Sequence, residues 1–249
     1  MNKEQAEANL ILLGYAGSIT YGTNTADSDT DIRGIFIPSK ENWLGLHTVE
    51  QVTNSGEVNK ENGIDYCYYG IRKFFELALN ANPNILECLW LRENHYLWNK
   101  VPYPSIGRKL IENRDLFLSK KARFSYCGYA YAQVKRLKAL NKNVNANKKR
   151  LTSVETYGFD TKNALHCIRL MRQGLEILVD GELNVFRHDA QFLLDIKAGK
   201  YTYEQIVEMF NEYEHLIEGA YVRSSLPHKP NFDKAEKLLV EIVEEFLYG

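Results

Sequence analysis

Long hydrophobic runs are absent from this sequence of 249 residues. No apolar stretch reaches the roughly 20 residues that a membrane-spanning helix needs. The polar start, Met1-Asn2-Lys3-Glu4-Gln5, does not have the apolar core of a secretory signal peptide. Internal repeats and low-complexity tails are absent as well. We therefore expect a cytoplasmic protein that has no membrane partner.

Paired cysteines are also absent. The four cysteines stand far apart, and none forms a Cys-x-x-Cys spacing, which argues against a zinc site and against a disulfide framework. Each lies in an apolar or helical sequence context, so we expect buried free thiols. These residues are Cys67, Cys88, Cys127 and Cys167.

A strong net charge is the third absence, because 31 Lys and Arg balance 32 Asp and Glu. The distribution is nevertheless uneven. Residues 120–150, which begin with Lys120 and end with Arg150, contain ten Lys or Arg and no acidic residue. Residues 201–249 contain ten Asp or Glu against four Lys or Arg. We expect one locally basic face, and its favoured partner is an RNA acceptor.

The most informative stretch spans residues 14–34. The apolar run Leu10-Ile11-Leu12-Leu13 predicts a strand that leads into it, and Asp29 and Asp31 follow one residue apart. If the segment from Asp29 onward is a strand, the alternation of side chains puts both carboxylates and Arg33 on one face. Mg²⁺ prefers oxygen ligands and is usually held by one or two carboxylates together with substrate phosphates. The pattern therefore predicts a metal and nucleotide site.

A phosphate-binding turn precedes the two aspartates. Gly17 lets the backbone approach a triphosphate, and Ser18 can offer its hydroxyl and its amide. A helix that begins at Ile19 would direct its amino terminus at the same anion. The alternative is a Gly-rich turn followed by a solvated acidic turn, because Asp-Ser-Asp is also common in turns. The upstream Gly-Ser and the downstream apolar strand favour the functional interpretation.

These residues resemble the signature of the DNA polymerase β superfamily of nucleotidyltransferases. Within this superfamily, the sequence is most similar to the predicted nucleotidyltransferase family associated with RNA repair. The resemblance implies a two-metal site, with Mg²⁺ or alternatively Mn²⁺. Such a site moves a nucleoside monophosphate from a triphosphate such as ATP to an acceptor and releases pyrophosphate. The matching elements are Gly17-Ser18, Tyr21-Gly22 and Ser28-Asp29-x-Asp31-x-Arg33-Gly34.

Asp65 is the third acidic candidate, and it lies in a short strand-like run. The resemblance implies a third carboxylate on a strand beside the aspartate pair, which binds one metal and helps to activate the acceptor hydroxyl. Without the resemblance, Asp65 could equally be a helix cap or a turn residue. The predicted metal ligands and catalytic residues are thus Asp29, Asp31 and Asp65.

A helix start is predicted at Asn82-Pro83, because Asn can cap a helix and Pro suits its first turn. Glu87 completes an Asn-Pro-x-x-x-Glu element that the resembled family shares. Glu87 could orient a residue of the site. We expect instead a first-turn charge that the helix dipole favours.

A second informative stretch begins with Asp160 and Thr161, either of which can cap a helix. Lys162, His166 and Arg169 then fall at i, i+4 and i+7 along one face. A positive stripe on an apolar helix is costly to bury unless it meets an anion, and the resembled family carries a Lys-x-x-x-His-x-x-Arg helix. We predict contact with the triphosphate; the alternative is a solvated face with a half-buried His166. The predicted nucleotide-binding residues are Gly17, Ser18, Arg33, Lys162, His166 and Arg169.

Aromatic residues alternate with lysines and arginines in residues 119–140. Such a pattern can stack bases and neutralise phosphates, but aromatics at helical spacing are more often core, and we expect core for most of them. The tract 141–150, rich in Asn and Lys, is expected to be a mobile loop and the first candidate for contact with a polyanionic acceptor. The residues of the stretch 119–140 for which we expect core positions are Phe124, Tyr126, Tyr129, Tyr131 and the apolar Val134.

The expected fold is α+β, with an amino-terminal nucleotidyltransferase-type mixed β-sheet and flanking helices, followed by a mainly helical carboxy-terminal region. Pro102 and Pro104 indicate a boundary. We predict a catalytic domain over residues 1–104 and a helical domain over residues 105–249 that completes the nucleotide site. The expected function is nucleotidyl transfer to an acceptor hydroxyl, with an RNA end favoured. A protein nucleotidylyltransferase of the AMPylase type and a non-catalytic nucleotide-binding regulatory module are the alternatives.

Overall fold

The chain divides into two compact units. The computed structural model describes residues 1–46, 48–54, 63–137 and 148–248. The first unit comprises Met1–Leu118 and Pro230–Gly249, and the second comprises Ser119–Lys229. The assignment of a catalytic domain to residues 1–104 and of a helical domain to residues 105–249 stays a prediction.

A four-stranded mixed sheet organises the first unit, with the spatial order β1-β2-β4-β3. Strand β2 runs antiparallel to β1 and parallel to β4, whereas β3 is antiparallel to β4. All residues of β1 except Tyr15 are buried, as the apolar run predicts. The strands are β1 (Leu10–Ala16), β2 (Thr30–Phe36), β3 (Gln51–Thr53) and β4 (Ile64–Gly70).

The two faces of this sheet differ in character. On one face, Leu10, Phe36 and Tyr68 belong to a buried apolar cluster. Side chains alternate along a strand, so the intervening residues of β2 and β4 project from the opposite face. Asp31 and Asp65 are among these residues. The sheet therefore presents carboxylates on the face opposite this cluster.

Short helices surround the sheet. Helix α5 begins as predicted, because Pro83 is its first residue and the Asn82 side chain accepts a hydrogen bond from the Asn84 amide. Helix α3 is a single short turn without apolar periodicity, and the sequence pattern does not predict it. The helices up to this point are α1 (Lys3–Glu7), α2 (Ser18–Tyr21), α3 (Lys40–Leu44), α4 (Ile71–Ala78), α5 (Pro83–Leu86) and α6 (Pro104–Glu112).

The second unit is helical, and α9 is one of its two long helices with a side-chain cap at the amino terminus. The Asp160 side chain accepts a hydrogen bond of 3.0 Å from the Asn163 amide, which confirms the predicted cap. The helix ends before Gly181, which has a φ of 71°. The helices are α7 (Lys121–Arg136), α8 (Lys148–Tyr157), α9 (Thr161–Asp180), α10 (Ala190–Lys197) and α11 (Tyr203–Arg223), and α12 (Phe232–Tyr248) returns to the first unit.

The predicted fold class is confirmed, with an amino-terminal mixed sheet and flanking helices followed by a mainly helical region. Within the described ranges, no helix combines the length and the apolar character needed to cross a membrane. Strand β3 pairs with β4, and residues 55–62 between these two strands lie outside the described ranges. Residues 138–147 lie outside them as well, so the tract predicted as a mobile loop is described only from Lys148, where α8 begins.

The aromatic residues of α7 are less buried than we expected. Tyr126 is fully buried, but Phe124, Tyr129 and Tyr131 are 56%, 38% and 51% exposed. The expectation of core positions for most of these aromatics is therefore wrong. The buried side of α7 holds only two alanines besides Tyr126, so the other rings face outward.

A buried ion cluster ties the segment after α9 to that helix. Both terminal nitrogens of Arg187 donate hydrogen bonds of 2.7 Å to the Glu176 carboxylate, and Nε donates one of 2.8 Å to Asp189. Nε of Arg172 lies 3.0 Å from the second oxygen of Asp189. A fully buried guanidinium needs such charged partners to be tolerated.

Candidate functional site

Asp31 and Asp65 lie directly beside each other on parallel strands. Asp31 of β2 is the register partner of Asp65 of β4, so both side chains project from the same face of the sheet. Both residues are half-buried. Two carboxylates on adjacent strands, roughly 5 Å apart in the backbone, favour a bound cation because like charges destabilise each other.

Asp29 stands one residue before β2 and is exposed. The strand that we predicted from Asp29 onward therefore begins one residue later, at Thr30. No group of three or more His, Cys, Asp or Glu residues in the described ranges is arranged as a metal site. The role of Asp29, Asp31 and Asp65 as joint metal ligands stays a prediction.

The turn after β1 packs against the Asp31 carboxylate. A Cβ atom at Gly17 would lie 2.5 Å from Oδ2 of Asp31, and Gly17 has a φ of 66°, which favours glycine. The strand register also pairs Ala16 with Asp31. Ser18, the first residue of α2, is half-buried beside this turn. The fold thus places Gly17 and Ser18 beside the Asp31 carboxylate. Their contact with phosphates stays a prediction.

The side chain of Arg33 reaches from β2 to α5. Its Nη1 donates a hydrogen bond of 3.0 Å to the carbonyl oxygen of Asn84 and lies 3.7 Å from Oε2 of Glu87. A longer contact of 3.4 Å joins Nη2 to Oδ1 of Asn84. Contacts within the protein thus hold the guanidinium in place. Its contact with a nucleotide stays a prediction.

The burial of Glu87 and its contacts were not predicted from the sequence. Glu87 is only 2% exposed and begins a 3-10 turn after α5. Its Oε2 accepts a hydrogen bond of 2.8 Å from the hydroxyl of Tyr21 and faces Arg33. Glu87 thus stands in a first turn as we expected, but its contacts with Tyr21 and Arg33 go beyond an interaction with the helix dipole. Its apolar sequence neighbours, Ile85-Leu86 before it and Cys88-Leu89 after it, are the signal that could have indicated burial.

The cysteine near this network is a neutral thiol. Burial raises the pKa of Cys88 to about 12, so it does not compete with carboxylates for a hard cation near neutral pH. The expectation of buried free thiols is confirmed for Cys88 and Cys167, whereas Cys67 and Cys127 are half-buried.

The predicted cationic stripe of α9 differs from residue to residue in exposure. Lys162 is exposed and His166 is half-buried. Arg169 is only 3% exposed, and its Nη1 donates a hydrogen bond of 2.7 Å to Gln173 on the next turn. All three belong to the second unit. Their contact with a triphosphate stays a prediction.

Comparison with known proteins supplies an independent observation. Residues 1–241 match the family model described as the RNA repair pathway DNA polymerase beta family, RlaP. An uncharacterized 38.9 kDa protein of Enterobacteria phage T4, from the nrdC-mobD intergenic region, is 30% identical over 127 residues. This match covers 49% of the chain and 37% of the phage protein, so the chain spans little more than a third of that relative's length.

A solved structure also shows a weak similarity. The crystal structure of a nucleotidyltransferase-like protein from Exiguobacterium sibiricum 255-15 aligns with 13% sequence identity and a TM-score of 0.28. The alignment covers 96% of the chain and 73% of that protein. A TM-score this low supports no conclusion about function.

Proposed function

Because the chain belongs to the RNA repair pathway DNA polymerase beta family, we propose that it is a Mg²⁺-dependent nucleotidyltransferase that acts on an RNA end. It would move a nucleoside monophosphate from a nucleoside triphosphate to an acceptor hydroxyl and release pyrophosphate. Family and fold suggest the transferase class. The donor, the metal and the acceptor are parts of our proposal.

One observation carries this proposal: the register that pairs Asp31 with Asp65, with Gly17 against the same carboxylate. Phosphoryl transfer depends mainly on positioning and on electrostatic stabilisation. Neighbouring strands fix the two carboxylates, and the glycine lets the backbone of the turn pack directly against Oδ2 of Asp31. A structural role alone does not require two acidic side chains side by side on half-buried strands.

The residues present fit Mg²⁺. The donor set on this face consists of carboxylate oxygens, which a hard cation prefers, and Mg²⁺ usually takes only one or two carboxylates from the protein. Asp31 and Asp65 would hold the ions, with Asp29 as the exposed third ligand, and Mn²⁺ is an alternative. When bound, such ions neutralise charge on the transferring phosphoryl group. The small number of carboxylates at this site is typical of Mg²⁺ sites that also bind substrate phosphates.

The side chains of the chain have separate tasks in this proposal. Gly17 and Ser18 bind the β- and γ-phosphates and orient the donor. Asp65 activates the acceptor hydroxyl by accepting its proton. Arg33 is held by Asn84 and Glu87 and keeps positive charge close to the carboxylates. Removal of one carboxylate is expected to lower the rate by orders of magnitude while the fold is retained.

An RNA end is the favoured acceptor for two reasons. The family to which the chain belongs is described as part of an RNA repair pathway, and residues 120–150 contain ten Lys or Arg without an acidic residue. A basic segment attracts a polyanion more strongly than it attracts an average protein surface.

Transfer of label tests this function. Each of the four α-labelled nucleoside triphosphates is incubated with Mg²⁺ and the full chain, and bulk RNA, bulk protein and the chain itself are the acceptors. We expect label on RNA with the wild type and none with Asp31→Asn. Label only on protein would contradict the RNA acceptor and favour a protein nucleotidylyltransferase. Nucleotide binding without any label would contradict catalysis and favour a regulatory module.

A further inference from the structure

One side of α7 combines exposed aromatic rings with cations. Five residues follow at spacings of three or four, so they line a single stripe along the helix. Phe124 and Tyr131 within it are 56% and 51% exposed. We call this set the α7 stripe, and its members are Lys121, Phe124, Gly128, Tyr131 and Lys135.

The cations lie close to the rings. Nζ of Lys135 is 4.5 Å from the centroid of the Tyr131 ring, and the guanidinium carbon of Arg123 is 4.8 Å from that of Phe124. Helix α7 contains no acidic residue over its whole length, Lys121–Arg136. The stripe therefore offers π-faces together with positive charge and carries no negative charge of its own.

Gly128 lies between the two exposed rings without a packing reason. A Cβ atom added there would meet no atom within 4 Å, so no close approach of another element requires glycine. Glycine inside a helix is less favourable than alanine. What it provides is open space between Phe124 and Tyr131, whose Cα atoms are about 10 Å apart along the helix axis.

The two flanks of the stripe differ. On the flank formed by α11, Tyr221 packs edge-on against Phe124, with the ring centroids 5.7 Å apart. Glu218 of α11 forms an ion pair of 2.6 Å with Arg123, so its charge is largely offset. Arg136 lies on the opposite flank and is exposed. A polyanion would approach from the flank of Arg136.

We propose that the α7 stripe binds single-stranded RNA. Bases stack on Phe124 and Tyr131, and Lys121 and Lys135 at the two ends neutralise phosphates. Stacking on aromatic side chains combined with cations is the usual way in which proteins hold single strands. The inference deepens the proposed function, on which it rests, because it assigns the RNA acceptor to a specific surface. An apolar protein partner fits less well, since a cation terminates the stripe at each end.

Binding of a fluorescent single-stranded 12-nucleotide RNA to the full chain, without nucleoside triphosphate, tests the proposal. We expect Phe124→Ala/Tyr131→Ala to weaken binding by tenfold or more, given the strength of base stacking on aromatics. Gly128→Leu fills the open space with a good helix former, so we expect weaker RNA binding together with unchanged or higher thermal stability. Phe232→Ala removes an aromatic that is 60% exposed on α12 and should bind RNA as the wild type does.

Several results would overturn the proposal. Equal RNA affinity of the wild type and the double variant would do so, as would an absence of RNA binding by the wild type. A change of oligomeric state in the variants at constant RNA affinity would identify the stripe as a protein interface instead. Because the assay contains no nucleoside triphosphate, its outcome is separate from the label-transfer test. Label transfer that survives in the double variant with a weakened RNA affinity would still support the stripe.

Discussion

The hydroxyl of Tyr21 donates a hydrogen bond of 2.8 Å to the buried carboxylate of Glu87, across 66 residues of sequence. Tyr21 ends the helix that follows the Gly17 turn, and the same carboxylate faces Arg33 on β2. Glu87 thus connects the turn to the strand that carries Asp31. A helix of only four residues has little stability of its own, so its position depends on such contacts.

Glu87→Gln should destabilise the protein. The substitution keeps the shape but removes the charge that Arg33 faces and weakens the bond from Tyr21, and hydrogen bonds to charged groups contribute about 1.5–3 kcal/mol. We expect the free energy of unfolding in urea to fall by about that amount. Glu76→Gln, at an exposed position of α4, is the control and should change it by less than about 0.5 kcal/mol. Equal stabilities of the two variants would show that the Glu87 contacts contribute nothing.

Gly17→Ala should strongly lower transfer activity, because its Cβ atom would lie 2.5 Å from Oδ2 of Asp31. Gly158→Ala is a matched control. It has a similar positive φ of 79°, and its added Cβ atom would meet nothing within 4 Å. Both variants carry the same kind of backbone strain, so we expect similar losses in thermal stability. Label transfer should fall at least tenfold only in Gly17→Ala, and equal activity of both variants would contradict the assigned place of the turn.

The site around Asp31 and Asp65 shows how much of the structure could be predicted from the sequence, and why. Local apolar patterns predict strands β1 and β2. The resemblance to the family associated with RNA repair is confirmed by the family match over residues 1–241. The adjacency of Asp31 and Asp65 is a long-range relationship that local periodicity cannot supply, and only the resemblance indicated it.

The burial of Glu87 and the exposure of the α7 aromatics, which the sequence analysis did not predict, have a common physical cause. Helical spacing tells which residues share a face, but what covers that face depends on elements that are distant in sequence. Glu87 is buried because Tyr21 and Arg33 come to meet it. Phe124 and Tyr131 remain about half exposed because α11 covers them only in part, through Tyr221 and Phe210. The apolar neighbours of Glu87 indicate burial, but they do not identify the partners that its carboxylate meets.

Acid should destabilise the wild type more than Asp189→Asn. Burial opposes ionisation of Asp189, but hydrogen bonding and charge from Arg187 outweigh it and hold the pKa of Asp189 below its usual value. A carboxyl with a lowered folded-state pKa stabilises the fold above its unfolded-state pKa of about 3.9. That contribution is lost as the pH falls through the folded-state pKa.

Unfolding in urea between about pH 5 and pH 2 measures this difference. We expect the free energy of unfolding of the wild type to fall more steeply with acid than that of Asp189→Asn. Asp180→Asn, exposed at the end of α9, should follow the wild type. Parallel curves for all three proteins would refute the role of the Arg187 cluster in acid sensitivity.

The most direct test of the central claim is the rate of pyrophosphate release from a nucleoside triphosphate with Mg²⁺ and RNA, compared between two single variants. Asp31→Asn removes the charge of the carboxylate that pairs with Asp65, whereas Asp27→Asn makes the same change at an exposed position just upstream. We predict a loss of at least a hundredfold for Asp31→Asn, with wild-type unfolding, and a rate within twofold of the wild type for Asp27→Asn. Equal rates for the wild type and Asp31→Asn would contradict a nucleotidyltransferase centre at Asp31 and Asp65.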